Sequence, residues 1–308
     1  MSSQSRRGVA TFRFAPSPNG LLHTGHAYSA LIGHRMAREA GGRFLVRIED
    51  IDVGRCREEY VTAIFEDLAW LGITWEKPVL RQSQNFAAYE AAADRLREMG
   101  VLYPCFATRA EIAAAAEPGR TDPDGAAIYP GLHKGLPRAE VMARMARGEK
   151  PAWRIDMERA LAVLGEKGGG PLTFDELEPV TSACLDGMVQ LPDPTGPSGQ
   201  HEARPERWGD AVIVRKDVPA SYHLAVVVDD AAQGVTHVTR GKDLLAATDI
   251  HRLLQELLGL PAPRYFHHEL VTMDGRKLSK STGDLALMAF RRRGEDGAAF
   301  RRSLGFEV

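Results

Sequence analysis

Cysteine is scarce in this 308-residue chain: Cys56, Cys105 and Cys184 are the whole set. They lie far apart and are odd in number, which argues against a disulfide framework and for a reducing compartment. An excess of one charge is also missing. Thirty-nine Lys and Arg stand against 41 Asp and Glu, a formal net charge of −2, so any contact with nucleic acid must use a local basic patch. Long hydrophobic runs are missing too. The polar start, Met1 to Arg7, leads into no apolar stretch, so neither a signal peptide nor a membrane span is expected, and the cytoplasm is the expected location. What remains, 44% hydrophobic and 26% charged residues, is the composition of a soluble globular protein of one large domain or two smaller ones.

Local patterning predicts an interrupted α/β fold. Thr11 to Ala15 reads as a strand, and Pro16-Ser17-Pro18-Asn19-Gly20 as a turn. From Thr24 the pattern is helical, with Tyr28, Leu31, Ile32 and Met36 on one face and Gly41-Gly42 as the stop. Arg43 to Ile48 reads as a second strand and Glu58 to Leu71 as an amphipathic helix. Strand and helix alternating at these lengths predict a parallel sheet. From about Cys105 to Trp208 the chain is rich in Ala, Gly and Pro, and reads as an inserted subdomain or a partly disordered linker. The pattern then resumes. Tyr222 to Val228 and Val235 to Thr239 read as strands, and Asp243 to Leu258 as a helix with Asp243 as its N-cap and Gly259 beyond its end. The expected fold class is α/β and Rossmann-like. Residues 9–104 and 209–285 would be the two halves of the catalytic domain, 105–208 the insert and 286–308 a short helical tail.

Two short motifs carry candidate chemistry. His23-Thr24-Gly25-His26 opens the first helix, where free backbone N–H groups favour an anion. Imidazoles three residues apart there can donate to phosphate oxygens, and Gly25 allows close approach of a nucleoside. The same pair could equally hold zinc or only cap the helix. Lys277 and Lys280, in Lys277-Leu278-Ser279-Lys280-Ser281, could stabilise charge on a departing pyrophosphate, or could be an ordinary solvated turn. Arg13, Glu49, Tyr222 and Arg240 are expected at strand ends along one sheet edge. Arginine suits carboxylates and Glu49 could take an ammonium, though an internal ion pair would use the same residues.

Taken together these segments resemble a family. The pair of motifs resembles the two signatures of class I aminoacyl-tRNA synthetases. Phe12 to Gly20, Leu22 to His26 and Arg47 to Asp52 look like the opening of the glutamyl branch, and Tyr222 to Asp230 with Gly234 to Gly241 look like its second half. The resemblance covers about residues 9 to 105 and 205 to 285. It implies that Arg13, Ala15, Ser17, Glu49, Tyr222 and Arg240 hold glutamate. It also implies that His23, Gly25, His26, Lys277 and Lys280 hold ATP with Mg2+, the two histidines and two lysines being catalytic. Only 27 residues follow Ser281, and on that basis the resemblance is to the truncated glutamyl-queuosine tRNA(Asp) synthetase family. That family implies glutamate activation without tRNA, transfer to the queuosine base in the anticodon of tRNA(Asp), and a monomer with no membrane association. The family often has a zinc site in the insert. Here Cys105, Tyr129 and His133 are the candidate ligands, but Ala107 stands where another Cys is expected. The set is short of four, and zinc is not expected. The competing readings are a shortened conventional synthetase, a nucleotidyltransferase with an HxGH motif acting on a small metabolite, and an RNA-binding paralogue without activity.

Overall fold

The first strand meets the second because Gly41 and Gly42 turn the chain back on itself, and the Arg43 amide then donates to Ala10 O at 2.7 Å. Strand β1 (Thr11–Phe14), helix α1 (Thr24–Glu39) and strand β2 (Arg43–Ile48) form the expected parallel unit, with Phe12 opposite Phe44 and Phe14 opposite Val46. The computed structural model describes residues 8–166, 168, 170–178, 189–273, 276–277 and 286–306, with backbone alone at 272, 273, 276 and 277. The Met1 to Arg7 start, Cys184 and Lys280 lie outside the described residues.

Helix α2 (Glu58–Trp70), strand β3 (Glu76–Arg81) and helix α3 (Phe86–Glu98) follow. A second, three-stranded antiparallel sheet is then made from β4 (Leu102–Cys105), β5 (Ala152–Ile155) and β8 (Val212–Val214). Between β4 and β5 come α4 (Arg109–Ala115) and α5 (Arg138–Ala146), and after β5 comes α6 (Met157–Glu166). Strands β6 (Thr173–Leu177) and β7 (Ser198–Glu202) fall inside the stretch read as an insert, yet they belong to the main sheet. The main sheet is completed by β9 (His237–Gly241) and β10 (Arg264–His268) in the order β3-β2-β1-β9-β10-β6-β7, parallel except at β7. Helix α8 (Ala247–Leu258) stops at Gly259, whose φ of 63° suits a residue without a Cβ. The backbone hairpin β11 (Thr272–Met273) and β12 (Arg276–Lys277) and the short helices α9 (Leu287–Arg292) and α10 (Gly297–Ser303) close the described chain. The architecture is the Rossmann-like α/β one expected.

Two readings of local structure are corrected. The run Tyr222 to Val228 is not a strand. It is the start of helix α7 (Tyr222–Ala232), with Ser221 as its N-cap. An apolar run buried on nearly all sides has no period to distinguish strand from helix, and Leu224, Ala225, Val226 and Val227 are all buried. Nor is Asp243 the N-cap of α8. Residues Lys242–Leu244 form a separate 3-10 turn, and the residue before α8 is Ala246, whose side chain makes no capping bond.

Helix α7 is fixed by a buried charge cluster. The Arg47 side chain on β2 is fully buried. It donates to Asp230 Oδ1 at 2.7 Å and to Gln233 Oε1 at 2.9 Å, and lies 3.8 Å from Asp229 Oδ2 and 3.4 Å from Glu49 Oε1. Arg13 on β1 shares Asp230 Oδ1 at 3.1 Å. Asp229 accepts from Gln82, Asn85 and Tyr89, each at 2.8 Å, which ties α7 to α3 as well. Removing one partner of a buried ionic cluster leaves charge without compensation, at about 3–5 kcal/mol. Arg47→Met is therefore expected to lower the unfolding free energy by about 3–5 kcal/mol in urea titration. A loss below about 1 kcal/mol, the worth of a surface pair, would show that Arg47 does not hold the three carboxylates together.

Candidate active site

A cavity of about 580 Å³ opens at the carboxyl edge of β1, β9 and β10, where an open parallel sheet offers its ligand crevice. It gathers residues that are far apart in the chain. Arg13 comes from β1, and Ala15 and Ser17 from the turn after it. His23, Gly25 and His26 come from the start of α1, Glu49 from the end of β2, Tyr222 from the first turn of α7, and Arg240 from β9. Of the expected site residues, Lys277 is described only as backbone in β12, and Lys280 lies outside the described residues.

At the α1 end the two histidines cap the helix and each other. Gly25 N–H donates to His23 Nδ1 at 3.1 Å, and His23 N–H donates to His26 Nδ1 at 3.2 Å. The ring centroids are 3.8 Å apart. An imidazole that accepts at Nδ1 carries its hydrogen on Nε2 when neutral, so both rings present a donor of the kind a phosphate oxygen takes. A Cβ on Gly25 would lie 3.0 Å from His23 Cε1, so a side chain there would press on the capping ring.

At the other end Arg13 and Arg240 line the cavity, and these two and the fully buried Arg47, which is not part of the lining, differ in how their charge is met. Arg13 and Arg47 share Asp230. Burial alone would push the Asp230 carboxyl up, but the two guanidinium groups outweigh it and hold it below the usual range. Glu49, 8% exposed, is raised by burial, with Arg47 and Arg13 opposing the shift. Arg240 is different. It is 5% exposed, and among the described residues no carboxylate lies within ion-pair distance of it. Its Nε donates to His267 Nε2 at 3.0 Å and its Nη2 to Thr248 Oγ1 at 2.7 Å, and its Nη1 lies 3.3 Å from His251 Nδ1. All are neutral acceptors. Burial lowers His251 and His267, and the Arg240 charge lowers both further. His223, 3.3 Å from His251, is lowered to about 4 by the same two causes. The Tyr222 hydroxyl is raised by burial and feels Arg240, Glu49 and Arg13 together. The cavity thus joins an unmatched buried cation, a partly matched carboxylate and a pair of imidazole donors.

Sequence reading missed the groups that hold these residues in place. Asp230 ends the family-like stretch Tyr222 to Asp230 but drew no role of its own, and His251 and Thr248 sit on a helix without a motif. His267 and His268 at the end of β10 were visible only as a doublet. His268, Asp243 and Leu270 also line the cavity.

The candidate metal residues do meet. Cys105 Sγ lies 3.3 Å from Tyr129 Oη, and that oxygen accepts from His133 N–H at 2.8 Å. His133 Nδ1 accepts from the amides of Phe106 and Ala107 at 3.0 and 3.1 Å. One thiol, one phenol raised by burial, and an imidazole already occupied at Nδ1 do not fit a tetrahedral structural zinc. No group of three or more His, Cys, Asp or Glu that could hold a metal is found among the described residues. No helix among them is long and apolar enough to cross a membrane.

The chain is similar to known proteins in sequence and in fold. Residues 9–165 and 187–304 match the family of class I tRNA synthetases (E and Q), catalytic domain. The chain is 44% identical over 306 residues to the glutamyl-Q tRNA(Asp) synthetase of Rhodobacter capsulatus, covering 95% of this chain and 99% of that one. It is 38% identical to glutamate–tRNA ligase 2 of Methylorubrum populi, where the match takes in 94% of this chain but spans only 58% of the relative. In fold it is similar to the glutamate-tRNA synthetase structure from Elizabethkingia anophelis, with a TM-score of 0.72 at 23% identity, over 97% of this chain and 61% of that one.

Two outcomes are expected from these environments. In the unfolded chain an imidazole protonates near the ordinary 6.5, whereas His223 in the folded chain does so only at about 4, with His251 and His267 also lowered. Between those values the native state binds fewer protons. The stability these groups contribute is complete above 6.5 and is lost as pH falls through that window. Urea unfolding from about pH 7 to pH 5 should show stability falling, with the slope about one proton smaller in His223→Phe. Stability that holds or rises toward acid would mean the imidazoles are charged beside Arg240. Separately, prolonged chelation should leave the thermal unfolding midpoint unchanged, because the Cys105 cluster is closed by its own hydrogen bonds. One tightly held zinc per chain on elemental analysis, with the midpoint falling on its removal, would contradict this.

Proposed function

Because this chain belongs to the family of class I tRNA synthetases (E and Q), catalytic domain, we infer that it activates glutamate with ATP, without needing tRNA, and transfers the glutamyl group to the queuosine base in the anticodon of tRNA(Asp). A carboxylate oxygen of glutamate attacks the α-phosphorus of ATP. The bond from that phosphorus to the bridging oxygen breaks, and pyrophosphate leaves with the electron pair. An acceptor hydroxyl then attacks the carbonyl carbon of the mixed anhydride and gives its proton to solvent, the bond from that carbon to the phosphate oxygen breaks, and AMP leaves with the electron pair.

The observation that carries the reading is Arg240, a buried guanidinium with neutral partners in a cavity that also holds Glu49. A buried charge without an opposite charge is costly, and a ligand carboxylate would supply one. In this reading Arg240 and Arg13 take carboxylates, Glu49 takes the ammonium, and Tyr222 stands among them, with Ala15 and Ser17 lining the same wall. His23 and His26 donate to ATP phosphates beside Gly25. ATP enters as its Mg2+ complex, and Lys277 and Lys280 complete the phosphate end. Their positive charge would act on the transition state, where charge moves onto the pyrophosphate. The choice of acceptor is supported by the end-to-end match to the Rhodobacter capsulatus protein.

The 38% identity to glutamate–tRNA ligase 2 favours a second reading, charging of the 3′ end of tRNA(Glu). Exchange of pyrophosphate into ATP, run with each amino acid with and without tRNA, tests activation. The product then separates the two readings. Glutamate on the modified base survives removal of the terminal adenosine of the tRNA, whereas a 3′ ester is lost with it. Glutamate found only at the 3′ end of tRNA(Glu) would replace the proposed acceptor. For the pocket itself, Arg240→Ala should weaken glutamate binding by about 1.5–3 kcal/mol, the worth of a charged hydrogen bond. An unchanged dependence of exchange on glutamate concentration would remove Arg240 from the site.

A further inference from the structure

Arg240 is aimed by neutral groups, and one of them is itself anchored to a charge. The backbone N–H of His267 donates to Glu176 Oε1 at 2.6 Å, and its ring Nδ1 lies 2.7 Å from Glu176 Oε2. A carboxylate only accepts and a guanidinium only donates. Both neighbours of the His267 ring therefore demand the same tautomer, with hydrogen on Nδ1 toward Glu176 and a lone pair on Nε2 toward Arg240. The ring is 2% exposed and stacks on Tyr265 at an interplanar angle of 8°. Thr248 Oγ1, 3.2 Å from the same Nε2, bridges back to Arg240. Glu176 comes from β6, beside β10 in the sheet, and lies far in sequence from every cavity residue.

We infer that Glu176, acting through His267, is the positioning residue for Arg240, fixing the guanidinium for a substrate carboxylate while leaving its charge uncancelled. This rests on the reading that Arg240 receives glutamate. A carboxylate set directly on Arg240 would hold it equally well, but would compete with the substrate for the same N–H groups and cancel the charge that attracts it. With one imidazole between them, Glu176 transmits direction through hydrogen bonds, and its Coulomb effect is weakened by the added distance. His251 cannot serve the same end. Its other nitrogen faces His223, a second neutral ring, and that line reaches no charge among the described residues.

The isosteric variant Glu176→Gln tests this. Glutamine offers one acceptor and one donor where Glu176 offers two acceptors. The backbone N–H of His267 cannot change, so it takes the amide oxygen, and the amide NH2 turns to the ring. The ring must then accept at Nδ1 and carry hydrogen at Nε2, against the Arg240 Nε–H. In pyrophosphate exchange the variant should raise the KM for glutamate by about five- to tenfold, the worth of one hydrogen bond. The KM for ATP and kcat should stay within about twofold. In a His267→Phe background the same change should add nothing, because the nitrogen it acts through is gone. Should Glu176→Gln not fold, Glu176→Ala, which removes both acceptors, is put through the same cycle with the same expectation. A glutamate KM unchanged in Glu176→Gln, with only kcat lowered, would mean that Glu176 merely packs. An equal rise in the His267→Phe background would mean that it acts by another route. Either overturns the inference and leaves the activation reading standing. Exchange by the unaltered protein that ignores glutamate would overturn both.

Discussion

The fold depends on a buried guanidinium that has more carboxylates around it than it can neutralise. Arg47 sits between the sheet and α7, with Asp229, Asp230 and Glu49 within reach. Two of these close the structure: Asp230 joins β1 and β2 to α7, and Asp229 joins α7 to α3. The third, Glu49, meets Arg47 at only 3.4 Å and faces the cavity. Burial of charge is affordable here only because the cluster is dense in donors. The same density directs the one loosely held carboxylate toward the space where a cationic group could bind.

The electrostatics of the cavity follow from this arrangement. Arg13 and Arg47 share a carboxylate, and Arg240 has imidazoles and a hydroxyl. Positive and negative charge therefore both line the cavity before any ligand arrives. Preorganised charge of this kind costs no rearrangement when a ligand of complementary charge enters. In the proposed reading, the carboxylates of glutamate meet the arginines and its ammonium meets Glu49.

Much of this was legible in the chain, and the limits have physical causes. The turn Pro16 to Gly20 was readable from its prolines and glycine, and the place of the histidine motif from the helical pattern that starts at Thr24. Arg43 to Ile48 was readable because six residues of β character sit between glycines and an acidic pair. Helix α7 was not, because full burial erases the period that separates helix from strand. Strand β6 was hidden for another reason. Its Thr-Phe-Asp-Glu-Leu is too short and polar to announce a place in a parallel sheet, and only its pairing with β10 assigns it one. The supports of Arg240 were invisible because a tautomer forced from two sides is a property of three residues meeting in space. His267, Thr248 and Glu176 have no shared spacing in the chain.

The position of β10 has a consequence for how the protein is made. It lies between β9 and β6, so the hairpin of β6 and β7 is synthesised long before the strand that connects it to the rest of the sheet. On the ribosome that hairpin must wait with an unpaired edge while the whole of α7, β9 and α8 emerges. Pairing of such sequence-distant strands is slow, and open edges invite the wrong partner. The nascent chain therefore passes through a stage in which every residue of the cavity from β1 to β9 is present, yet the sheet is split in two. Completion of the main sheet waits on five residues, Arg264 to His268, which bring with them the ring that aims Arg240.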